Sequence, residues 1–297
     1  MLKRAGNQRT PPVMILDSPS AILALSSLLE SFAEYCGQAG AMHWLPYFLD
    51  KAVLGRRSPK LVLVLHPEES QTRSLLPSDL RGAALFFEYQ VLGLRTGVIA
   101  TGDAVGFNSV IAPDGERGEV AAIAARALLQ SGATTVLATY EGHGEPEVRS
   151  RLNSLKPAPW AVRERVVHRM LRLAPTLDET LLQMGKATRT NLRRYRRRLE
   201  AQIGCEYIAD AAPFLANADL RAINAKSLNP VCPEEFKRRV GSASSLRGSF
   251  LSGLRAANGD WISLMGGWRQ GGTTVVHWQT NLGGLEKFSV GTVMRSY

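Results

Sequence analysis

Between Gly142 and Pro159 the chain passes through a polar stretch containing Pro146, Pro157 and Pro159, and across it the charge of the sequence changes sign. Residues 1–150 carry 13 Lys and Arg against 15 Asp and Glu, a balance of −2, whereas residues 151–297 carry 23 against 11, a balance of +12. Two surfaces so different, joined by turn-forming residues, imply two domains, 1–150 and 151–297. Each half is long enough to bury a core of its own. The composition, 45% hydrophobic and 21% charged, excludes a disordered chain. No apolar run approaches the roughly 20 residues of a membrane-spanning helix. The basic start Met1–Arg4 leads into no apolar signal segment, and residues 5–12 read as a frayed tail, so a cytoplasmic protein is expected.

Cys36, Cys205 and Cys232 are scattered and odd in number, which fits neither a disulfide framework nor a zinc pattern. His43, His66, His143, His168 and His277 show no metal-ligand spacing, so no metal is expected. The net charge of +10 resides entirely in the second half. That asymmetry calls for an anionic partner there: a phosphate-bearing cofactor, a nucleic acid or a membrane surface.

Hydrophobic periodicity supplies the element order. Ser18 and Pro19 open a helix whose apolar face is Ile22, Leu25, Leu29, Phe32 and Cys36, ending at Gly37. A second helix is expected over Trp44–Leu54, then strands over Lys60–His66, Gly82–Tyr89 and Leu92–Ala100. A helix over Glu119–Gln130 stops at Gly132, and a strand resumes over Thr134–Thr139. In the second half a strand is expected over Val166–Leu173. Thr176-Leu-Asp-Glu179 then matches a capping box that starts a helix. Trp261–Trp268 and Thr273–Asn281 flank Gly271-Gly272 as the two arms of a hairpin. Helices alternating with strands make the fold class α/β.

The most unusual segment lies between Gly185, which interrupts the helix begun at Thr176, and Gly204. A helix over 188–202 is expected, and positions 186–198 hold seven basic residues and no acid. Leu192, Tyr195, Leu199 and Ile203 form a narrow apolar stripe, and Lys186, Arg189, Arg193 and Arg197 form a second face. Like charges four residues apart repel by a few tenths of a kcal/mol per pair. An anionic ligand on that face would remove the repulsion.

The pattern K-x-T-R-x-N-L-R-R over Lys186–Arg194, followed by a basic helix and a glycine, resembles the corresponding helix of the Fem peptidyltransferases. It is closer to the BioF2-like acetyltransferase domain of exopolysaccharide and cellulose biosynthesis. Both belong to the GNAT superfamily and place two GNAT-like halves in tandem. The resemblance implies an α+β fold of two such halves with a cleft between them, the second half carrying the chemistry. In GNAT proteins a central strand leads through a loop into a helix whose N–H groups hold the coenzyme A pyrophosphate. Ser289, Val290, Gly291 and Thr292 resemble a short version of that loop. Motif-bearing likeness covers about 170–297, and because family members continue past this helix, a partial chain is expected.

What the resemblance implies is acyl transfer from acetyl-CoA or another acyl-CoA to an amine or hydroxyl, the acceptor a cell-envelope or polysaccharide precursor. His277 is the candidate base, in the strand before the loop. Aminoacyl-tRNA is the alternative donor. A nucleic-acid-binding protein using the basic helix is the rival from another class; against it, the helix has a single aromatic residue, Tyr195, assigned to its apolar stripe. Docking on anionic lipid is disfavoured because the helix offers no exposed apolar face.

Overall fold

Two apolar runs, Leu61–Leu65 in the first half and the arms around Gly271-Gly272 in the second, each nucleate a sheet. The computed structural model describes residues 11–43, 45–67, 75–101, 109–139, 171–270 and 272–297. The chain divides into two compact units, Met1–Glu164 and Arg165–Tyr297. The linker expected at 142–160 lies outside the described residues, as does most of the strand expected over Val166–Leu173. Leu171–Leu173 are not in a strand.

In the first unit β1 (Val13–Leu16) is followed by α1 (Pro19–Ala24), α2 (Ser26–Tyr35), α3 (Leu45–Leu54) and β2 (Arg57–Leu65). Then come β3 (Leu80–Val91), β4 (Leu94–Thr101), the short β5 (Val110–Ile111), α4 (Arg117–Gln130) and β6 (Thr135–Leu137). Ser18 caps α1 and Pro19 opens it, but the single helix expected from Ser18 to Cys36 is two helices. At the break the Ser26 hydroxyl donates to the Leu23 carbonyl at 2.6 Å, a side-chain bond that competes with the helical ladder. The sheet runs β1-β2-β3-β4-β6, with β5 beside β3. All pairs are antiparallel except β4 with β6, which the α4 crossover makes parallel. Val62, Val64, Phe86 and Ile99 of the sheet and Val120, Ala124 and Leu128 of α4 form the core. Gly82 is required there, because a Cβ at that position would sit 2.5 Å from the Val120 methyls.

Lys60, within the β2 apolar run, is nearly buried and is held by Glu88 at 3.4 Å. The β3–β4 turn is Leu92-Gly93, with φ of 51° and 80°, the backbone of a two-residue type I′ hairpin. A leucine in that conformation, 88% exposed, is uncommon for a side chain without a local hydrogen bond to offer.

The second unit begins with α5 (Leu177–Leu182), α6 (Lys186–Ile203), β7 (Cys205–Ile208), α7 (Ala212–Leu215), α8 (Leu220–Ala225) and α9 (Pro233–Ser245). It continues with β8 (Ser249–Ala256), β9 (Trp261–Gln270), β10 (Thr273–Asn281), a 3-10 turn at Glu286–Phe288, and α10 (Val290–Met294). The capping box is reciprocal: Glu179 N–H donates to Thr176 Oγ1 and Thr176 N–H to Glu179 Oε2, each at 3.2 Å. Gly204, at φ 65°, ends α6. The sheet is antiparallel in the order β10-β9-β8-β7. Helix α9 packs on β8 and β9, while α10 packs on α6, β9 and β10. Leu199, Leu254, Ile262, Phe288, Val290, Val293 and Met294 form this unit's core.

The chain is thus a mixed α/β structure with two sheets and ten helices among the described residues. The two units share part of their element order: in each a first strand is followed by three helices and three consecutive antiparallel strands, and the first strand pairs with the second. In the first unit β5, α4 and β6 come after these strands; in the second α5 and α6 precede β7, and α10 comes last.

Close approach of β9 to β10 depends on Gly266-Gly267. A Cβ at Gly266 would meet the Trp278 indole at 2.6 Å, and one at Gly267 would lie 1.9 Å from the Val275 carbonyl oxygen. Gly267→Ala is therefore expected to force the strands apart and to cost about 1–3 kcal/mol or more. Gly272→Ala, with nothing within 4 Å of the added methyl, is the control. Urea melts followed by tryptophan fluorescence should show the first variant unfolding earlier and the second unchanged.

Candidate functional site

The apolar stripe of α6 falls where its periodicity puts it: Leu192 and Leu199 are buried, Tyr195 and Ile203 half-buried. Its basic face is not uniform. Arg189 Nη1 donates to the Met184 carbonyl at 2.6 Å and to the Leu182 carbonyl at 3.4 Å, satisfying groups that the end of α5 leaves without helical partners. Arg193 Nη2 meets Asp178 Oδ1 at 2.7 Å, in the first turn of α5. These two arginines strap α5 to α6 near both ends of α5.

Lys186 and Arg197 differ. Both are exposed, and among the described residues neither has a carboxylate within ion-pair distance; Arg197 Nε reaches only the Arg193 carbonyl, at 3.3 Å. Arg194 lies over the Tyr195 ring at 5.1 Å, also without a carboxylate among the described residues. The open positive surface of α6 is therefore Lys186, Arg194 and Arg197, with Arg189 and Arg193 engaged within the unit.

On its other side α6 is tied to Tyr297. Arg196 pairs with Glu200 at 2.9 Å and lies 3.9 Å over the Tyr297 ring, and the Tyr297 hydroxyl donates to Glu200. That hydrogen bond, then Arg196, holds the Glu200 carboxyl below the usual carboxylate range; burial, then the same bond, pushes the Tyr297 phenol up.

The junction from β10 to α10 holds the other expected residues. Ser289 sits at φ 50° in the left-handed region and receives no side-chain capping bond. Its own N–H donates to the Glu286 carbonyl, and its carbonyl accepts from Thr292 and Val293. The N–H groups of Val290 and Gly291 meet no acceptor among the described residues. Val290 itself is buried in the core, and Thr292 is exposed. Gly291 lies against β10: its carbonyl accepts from Gln279 Nε2 at 3.1 Å, and a Cβ there would approach Asn281 Nδ2 at 3.2 Å. Gln279 also bonds Ser263 Oγ and Asn281 Oδ1, and Arg295 Nε donates to Gln279 Oε1 at 3.1 Å. The glycine thus makes room for two amide side chains of β10.

His277 occupies the β-bulge of β10, where the register with β9 shifts between Val276 and Trp278. Its ring is half-buried and lies 5.2 Å from the Trp268 ring, tilted by 45°.

None of the residues singled out from the sequence lines the pocket of the second unit. That pocket, about 280 Å³, lies against α8 and the ends of β8, β9 and β10, with Phe214, Lys226, Arg255, Trp261 and Asn281 in its wall. Its residues come from five elements, α7, α8, β8, β9 and β10, and the turns beside them, and of these α7, α8 and β8 were not recognised in the sequence. No group of three or more His, Cys, Asp or Glu placed to hold a metal occurs among the described residues. Nor is any helix among them long and apolar enough to cross a membrane.

No protein-family model matches the sequence, and no curated protein matches it. A solved structure, that of L-PGS from Bacillus licheniformis, superposes on 91% of this chain and 69% of its own, with 15% identity and a TM-score of 0.49. A likeness that distant bears on neither activity nor substrate.

Two outcomes follow from the contacts of α6. Arg189→Ala should lower the stability of the second unit by about 1 kcal/mol, the net worth of its carbonyl bonds, whereas Lys186→Ala should leave the melting temperature within error. Tyr297→Phe should raise the Glu200 titration midpoint, read by carboxyl 13C shifts. Because the folded-state value of Glu200 is depressed, its stabilisation is present above the unfolded carboxylate range and is lost as pH falls through the folded value. The Phe variant should therefore lose part of that acid-side dependence.

Proposed function

We propose that the chain is an acyltransferase of GNAT-like type, built from two tandem GNAT-like halves, with the transfer chemistry in residues 151–297. Acyl-CoA is the donor, and an amine or hydroxyl of a cell-envelope or polysaccharide precursor is the acceptor. The observation that carries the reading is the order that the two units share, a strand, three helices and three consecutive antiparallel strands, with the second unit leading its third such strand through a short turn into a helix. In the second unit that junction comprises Ser289, Val290, Gly291 and Thr292, and two of its N–H groups are uncommitted. Donor phosphates would be met there by backbone N–H groups.

The face of α6 supports an anionic partner through Lys186, Arg194 and Arg197, with Arg189 and Arg193 fixing the helix that presents them. His277 serves as the base in this reading, at the bulge of the strand that precedes the junction. Aminoacyl-tRNA is the second donor reading, favoured by the same unpaired cations.

Calorimetry with acetyl-CoA tests the proposal. Lys186→Glu combined with Arg197→Glu should weaken binding at least tenfold, about 1.4 kcal/mol, at an unchanged melting temperature, since neither side chain has a carboxylate partner to lose. His277→Ala should lower the transfer rate while sparing acetyl-CoA affinity. Tight RNA binding with a steep salt dependence and no coenzyme A signal would overturn the acyl-CoA reading.

A further inference from the structure

We infer that the pocket of the second unit is a binding site for a small organic anion, a carboxylate or phosphate monoester with an apolar or aromatic body, and that Arg255 is its anchor. The inference is independent of the transfer reading, because it concerns residues that reading does not use.

Arg255, near the end of β8, is half-buried. Its guanidinium lies 5.4 Å from the Phe214 ring and 5.8 Å from the Trp261 ring, two rings that meet edge to face at 77°. Its Nε donates to the Gly259 carbonyl at 3.1 Å. Among the described residues the Nη groups have no acceptor and no carboxylate lies within ion-pair distance. Glu206, its cross-strand neighbour on β7, makes no ion pair with it. A guanidinium drawn partly out of water without a counterion is unfavourable, and a planar, preset fork of donors is the geometry that carboxylate and phosphate oxygens fit.

A second polar group points the same way. Ser227 lines the pocket, and its hydroxyl is buried without a hydrogen-bond partner. A buried hydroxyl in that condition is destabilising until something supplies an oxygen or a proton.

The acids of the wall are already committed. Asp219 caps α8 by accepting from the Arg221 and Ala222 N–H groups. Asp260 accepts from Lys226 Nζ and Asn258 Nδ2, each at 3.0 Å. The Lys226–Asp260 pair is exposed and hence worth little, so Lys226 can turn to a bound anion at small cost. What stays uncommitted in the wall is a cation and a hydroxyl. Phe214, Ile223, Trp261, Leu264 and Leu282 give the wall an apolar part that suits a ring or hydrocarbon body, beside the polar Ser263, Thr280 and Asn281.

The test uses the full chain and three probes of one shape: phenylacetate, phenyl phosphate and the neutral phenylacetamide. Protein-detected NMR should show the Trp261 indole N–H and the Arg255 Nε–H shifting with both anions, and at least tenfold weaker binding of the amide. Arg255→Gln should weaken the anions at least tenfold and leave the amide unaffected. Should that variant fail to fold, Ser227→Ala and Lys226→Gln, which leave Arg255 and both rings in place, should each weaken the anions and spare the amide. A preference between the two anions identifies the group that the site takes. Equal affinity for amide and anions, no shift at saturating probe, or anion binding untouched by these substitutions would overturn the proposal.

Discussion

The second unit rests on one close approach: β10 can lie on β9 only because Gly266 and Gly267 present no side chain. Trp278 fills the space over Gly266 and makes edge contact with Phe236 of α9, so the glycine pair also sets where α9 lies against the sheet. Past Trp278, Gln279 and Asn281 reach Ser263 and the Gly291 carbonyl. The junction that starts α10 is therefore positioned from the strand, and the strand from two missing methyl groups. Any chemistry at Ser289–Thr292 inherits its geometry from this stack.

Much of the architecture was legible in the sequence because it is written in local signals. The capping box at Thr176, the glycine stops after Cys36, Gln130 and Ile203, the β9–β10 hairpin and the apolar stripe of α6 all occur where short-range chemistry puts them. The elements that escaped recognition have reasons of their own. Gly253 interrupts the alternation of β8, and it is glycine because the Trp261 ring packs against it, a tertiary demand invisible from spacing. Helix α9 ends in Gly241 and three serines among its last five residues, a composition that reads as loop; Phe236 and Val240 make it a helix by burial. The break at Leu25 reflects a hydroxyl bonding its own backbone, which hydrophobic periodicity does not register.

The candidate site was legible in its residue types and less so in their partners. Seven basic residues in 13 positions mark out α6, but the sequence does not say which charges are taken. Asp178 and the carbonyls at the end of α5 engage Arg193 and Arg189, and those partners lie 5–15 residues away through a turn. Arg255 shows the converse. Nothing in its neighbours along the chain distinguishes it, and its character comes from rings that arrive from α7 and β9.

Each sheet is assembled only from strands of its own unit, and nearly every neighbouring pair is also consecutive in the chain. The exceptions are β3 with β5 and β4 with β6, and helices separate the first two strands of each sheet. The short turns that join these consecutive strands keep the loop-closure entropy of each hairpin small. During synthesis the first sheet can close, from β1 to β6, before β7 has left the ribosome. The first unit would then be complete while the basic second one is still unfolded, so the arginines of α6 emerge after the strands of the first sheet have paired.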